Sequence, residues 1–100
     1  MKAQIIDYLL EEGFRPHYKG FDYLVSALEI TTASKSRVPV GILYSKIAED
    51  YDVTWQCVER CIRTAIESYW DAIKAPGSKP TNAEYIALAT VRLKVKEDAL

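Results

Sequence analysis

The chain has 100 residues, enough for one domain around a single core and too few for two ordinary ones. Hydrophobic residues make up 49% and charged residues 27%, a globular balance that excludes a disordered chain. Thirteen Lys and Arg against fourteen Asp and Glu give a net charge of −1, which argues against strong indiscriminate nucleic-acid binding because that affinity comes mainly from many cations displacing phosphate counterions. A local basic face is not excluded. Between Arg15 and Lys46 the basic side chains Arg15, Lys19, Lys35, Arg37 and Lys46, with His17 when protonated, face only Asp22 and Glu29.

No apolar run approaches the roughly 20 residues that cross a bilayer. The start MKAQIIDYLLEEGF has no small-residue cleavage site after an apolar stretch, so the expectation is a soluble, cytoplasmic protein with no membrane partner.

In chain order, Ile5, Ile6, Leu9 and Leu10 recur at helical spacing and predict a first helix of about 3–12, stopped by Gly13 with Pro16 beyond it. With Gly13 left-handed, Phe14 folds back toward Leu9. Phe21, Leu24, Val25 and Leu28 predict a second helix of about 21–32, after which TTASKSR breaks the pattern. Pro39 suits the first turn of a third helix that runs to about Tyr51 and is expected to bury Ile42, Leu43, Ile47 and Tyr51. A fourth helix follows Thr54 and reaches about Ile73. After KAPGSKP, Thr81 and Glu84 form a capping-box pattern that starts a fifth, in which VRLKV alternates and leaves the far end open. The expected fold is all-α, a compact bundle of about five to six helices in one domain over residues 1–100, containing a helix-turn-helix.

That motif is expected at IAEDYDVTWQCVERCIRTAI, residues 47–66. Ala48 is small enough for a close helix crossing, and Ile47, Tyr51, Val53 and Val58 supply apolar residues on both sides of the turn. Asp52 stands where Gly is usual, and Asp tolerates left-handed geometry better than most residues. Thr54 is a natural N-cap. At about 100° per residue, Ile62, Ala65 and Tyr69 fall near Val58, while Gln56, Glu59, Arg60, Arg63 and Glu67 lie on the other side. Arg suits guanine O6 and N7, Gln suits adenine, and Glu accepts from cytosine N4. The same residues also make ordinary i,i+3 and i,i+4 pairs on a solvated face, so the pattern alone leaves both readings open. Trp55, in the first turn, suits packing or a partner contact better than free surface.

Cys57 and Cys61, four apart, offer half of a tetrahedral metal site, and only His17 and Met1 could add nitrogen or sulfur; small core or boundary residues are the expectation, with no metal and no cofactor. His17 is the only imidazole and PHYKG holds no nucleophile with an evident base, so an enzyme is not expected.

The segments HYKGFDYLVSAL, LYSKIAEDYDVTWQCVERCIRTAIESYW and KPTNAEYIALATVRLKV, in that order, resemble the C-terminal DNA-binding effector domain of the sporulation master response regulator, stage zero sporulation protein A. The resemblance covers about residues 13–96, with VERCIRTAIE and KPTN its most specific parts. It implies a helical effector domain that binds short promoter boxes in double-stranded DNA, often as tandem copies, and activates or represses transcription. The recognition helix would be residues 54–70, with Glu59, Arg60 and Arg63 facing DNA. Cys57 and Thr64 stand where the family leads one to expect Arg and His. His17 would hydrogen-bond structurally, and Lys19 would lie near phosphate. The family's receiver domain has no counterpart in this sequence, which begins with Met, so the expectation is a stand-alone regulator governed by concentration, a partner or cooperativity. Expected DNA contacts are Lys46, Thr54, Trp55, Gln56, Glu59, Arg60, Arg63 and Thr64. Further expected partners are the RNA polymerase sigma subunit and a second copy forming a homodimer on tandem sites. The alternative is a protein-interaction module of the same fold that has lost DNA affinity and modulates a homologous regulator.

Overall fold

The computed structural model describes residues 1–98 and consists of five α-helices. Helix α1, Lys2–Glu12, buries Ile5, Tyr8 and Leu9 on one side. Gly13 ends it at φ 115°, where a side chain would be strained. The Gly13 amide donates to the Leu10 carbonyl at 3.2 Å and the Phe14 amide to the Leu9 carbonyl at 3.0 Å, the paired bonds of a Schellman end. Phe14 is thereby turned into the core, where it stacks on Tyr69 with ring centroids 4.3 Å apart.

Helix α2, Lys19–Ala33, begins two residues before the periodicity suggests, because Tyr18 accepts the Phe21 amide and winds Lys19 and Gly20 into the first turn. It is the central helix and buries residues nearly all round, from Phe21 and Tyr23 to Ala27 and Leu28. Gly20 lies against the fourth helix so closely that a Cβ there would fall on the Cys61 carbonyl oxygen and 2.8 Å from the Ala65 methyl.

Helix α3, Val40–Tyr51, follows Pro39, which sits at the N-cap rather than inside the first turn. It buries Leu43, Tyr44, Ile47 and Ala48. Two expected core residues are not there: Ile42 is 60% exposed and Tyr51 44%. At 100° per residue Ile42 lies outside the sector that spans Leu43 to Ala48. Tyr51 has the right phase, but its turn runs past the end of the core, and its ring meets Tyr23 edge-on instead.

Asp52 turns the chain in the left-handed conformation, φ 54° and ψ 49°, and Val53 donates to the Ala48 carbonyl at 3.0 Å. Helix α4, Trp55–Ile73, starts after Thr54 and ends at Lys74, again left-handed. Three residues therefore join α3 to α4, as a helix-turn-helix requires.

Helix α5, Asn82–Asp98, starts on the capping box: the Thr81 hydroxyl accepts the Glu84 amide at 3.1 Å and the Glu84 carboxylate accepts the Thr81 amide at 3.0 Å. The alternating VRLKV segment stays helical because Ala89 and Leu93 are buried in the shared core, while Val91 and Val95 point to solvent. All five helices contribute to that one core. Among the described residues no helix is long and apolar enough to cross a membrane.

Candidate nucleic-acid interface

Helix α4 divides sharply into two sides. Val58, Ile62, Ala65, Ile66 and Tyr69 are buried against α2, α3 and α5, whereas Gln56, Arg60, Arg63, Thr64 and Glu67 are exposed. The first turn is held by the Thr54 hydroxyl, which accepts the Cys57 amide at 3.1 Å, a cap that contributes about 1 kcal/mol. No acidic residue occupies that turn, so the positive end of the helix dipole is left for an external anion. Trp55 stands half exposed beside it.

On the outward side, Arg63 donates to the Glu59 carboxylate at 3.0 Å, an i,i+4 pair on the solvent-facing surface of the helix. Arg60 makes no ion pair among the described residues and projects freely. Lys46, on α3, is exposed and 3.5 Å from Asp50. Thus the structure puts Thr54, Trp55, Gln56, Glu59, Arg60, Arg63 and Thr64 on one element, with Lys46 on the preceding helix. Glu59 is the most withdrawn of the outward set.

The family model described as Sporulation initiation factor Spo0A C terminal matches residues 5–93. The chain belongs to this family. It is a family of DNA-binding effector domains acting in sporulation and transcription regulation, not a family of enzymes. The match runs from the middle of α1 to the Leu93 turn of α5, and so takes in the whole of α2, α3 and α4.

Within this family member, one residue that bonds to α4 is not announced by side-chain type alone. Asn82 is buried, and its amide donates to the Tyr44 hydroxyl at 2.9 Å and to the Glu59 backbone carbonyl at 3.0 Å. One side chain thus ties the start of α5 to both α3 and α4. In the sequence it closes KPTN, directly after the capping Thr81, where an exposed polar residue would be equally at home.

Cys57 and Cys61 lie on the flank of α4 that faces α2, with their sulfurs 4.0 Å apart. Both are half-buried, Cys61 packs against the core, and burial pushes its thiol up, with the neighbouring Cys57 thiol adding to the effect. They are boundary residues, as their spacing suggests. Among the described residues no group of three or more His, Cys, Asp or Glu is placed to hold a metal ion. Among the described residues His17 makes no hydrogen bond; it is exposed and stacks on Tyr18 with ring centroids 4.6 Å apart, because the turn leaves it outside the core.

Proposed function

We propose that this chain is a sequence-specific, double-stranded-DNA-binding transcription regulator whose helix α4 enters the major groove. The observation that carries the reading is the outward stripe of α4, in which Gln56, Arg60 and Arg63 project opposite a fully buried face from a helix capped by Thr54. In this reading Arg60 donates to guanine, Gln56 pairs with adenine, and Glu59 accepts from cytosine while orienting Arg63. Thr54, Trp55 and the first-turn amides meet phosphate, with Lys46 and Thr64 adding backbone contacts at the edges. The protein acts in the cytoplasm, binds tandem sites as two copies, and meets the sigma subunit of RNA polymerase there.

Selection of bound sequences from a random duplex pool tests it. The protein should enrich one motif, and Arg60→Ala should relax that motif at a single position, losing about 1–3 kcal/mol of discrimination. An unenriched pool at low salt, under conditions where a full-length homologue enriches its own motif, would sink the proposal and leave a protein-interaction module of the same fold.

A further inference from the structure

A groove of about 660 Å³ runs between α5 and the connection at residues 34–39 that leads into α3. Its floor is apolar, built from Val38, Leu43, Ile86, Ala87 and Val91. Its rim carries Lys35, Arg37 and Lys94, and no acidic side chain lines it among the described residues. In a chain with more acidic than basic residues, that one-sided rim is a local concentration of positive charge.

The walls are held in place. The Lys94 ammonium donates to the Ser34 carbonyl at 2.9 Å, which ties α5 to the connection, and the Thr31 and Thr90 hydroxyls are 2.7 Å apart between α2 and α5. Val91 is 60% exposed, and Leu88 and Val95, at 45% and 62%, continue the apolar surface along the outside of α5. They are three and four residues away on the helix and so share its face. A contiguous apolar surface beside a cleft is the usual mark of a binding surface.

We propose that this groove binds a short acidic amphipathic segment of a partner protein. Apolar side chains one helical turn apart would seat over Val38, Ala87 and Val91, and flanking carboxylates would meet Lys35, Arg37 and Lys94. Two other occupants fit less well. A DNA backbone gains from the three cations but nothing from an apolar floor. A second copy in a two-fold contact brings the same three cations against themselves. This site is separate from the outward stripe of α4, so its fate does not depend on DNA reading.

The test titrates the intact, isotope-labelled protein with a helical peptide bearing Leu at i, i+3 and i+7 and Asp or Glu at its flanks, followed by amide chemical shifts. A second peptide keeps the charges and replaces each Leu by Ser. The first should saturate with shifts at Val38, Ala87 and Val91, and the second should bind at least about tenfold more weakly. Val91→Glu and Arg37→Glu should each weaken the first peptide by about tenfold. Both positions are exposed, and an unchanged unfolding midpoint in each variant shows that the fold is intact. Equal binding of the two peptides, shifts that map outside the groove, displacement by a short duplex that moves the same amides, or self-association of the protein alone through these residues would each overturn it.

Discussion

The Glu84 carboxylate illustrates how one side chain links pH to structure. It accepts the Thr81 amide at 3.0 Å, and that bond, followed by the one with the Thr81 hydroxyl, holds its pKa below the ordinary glutamate value. A depressed folded-state pKa means that the cap's contribution is complete above the unfolded value and is lost as pH falls through the folded one. Glu84→Ala should therefore lower the urea midpoint at neutral pH and make no difference in acid below both values. Denaturation curves of the two proteins at the two pH values check this, and a gap that persists in acid would mean that Glu84 acts by packing. Both halves of this box are legible in TNAE because a capping box is local, needing only four consecutive residues. The same holds for Thr54 and for left-handed Asp52. Asn82 is the contrary case: its two partners are 38 and 23 residues distant, so no local pattern distinguishes it from a solvated Asn.

At the scale of elements, α2 and α4 approach each other tightly at Gly20. Gly20→Ala should destabilise the protein by about 1–3 kcal/mol, since the added methyl meets a helix backbone that cannot rotate away. Gly41 on α3 is the control, because a Cβ there meets nothing within 4 Å. Gly41→Ala should stabilise by roughly 0.5–1 kcal/mol through lower unfolded-state entropy. Equilibrium unfolding of the two variants separates them by sign. Periodicity finds both helices but treats the two glycines alike. It also misplaces Ile42 and Tyr51, since a hydrophobic residue at the edge of the buried sector, or beyond the end of the core, has the same letter as one inside it.

For the molecule as a whole, near-neutral charge limits what phosphate attraction can supply. If DNA is read through α4, the cations at hand are Lys19, Lys46, Arg60 and Arg63, and the binding constant should fall with salt at a log–log slope of about −4, far from the steep dependence of strongly basic proteins. Fluorescence anisotropy over a salt series measures it, and a slope near −8 or beyond would mean that a much larger basic surface is engaged. The basic bias between Arg15 and Lys46 does not form one patch beside α4: Lys35 and Arg37 are carried to the groove at α5, and Lys46 lies against Asp50.

By itself the sequence determined the helical class, the ends at Gly13, Asp52, Thr54 and Thr81, and the division of α4 into a buried and an outward side, because each depends on residues within about two turns of one another. The resemblance carried by VERCIRTAIE and KPTN pointed to the family that the match over residues 5–93 shows. Only the tertiary structure decided which apolar residues stay exposed, which glycine is compressed between helices, what Asn82 holds, and that Lys35, Arg37 and Lys94 surround one apolar groove. Those facts depend on side chains separated by dozens of residues meeting across helix packings, and one-dimensional patterns carry no record of which helices meet or at what depth.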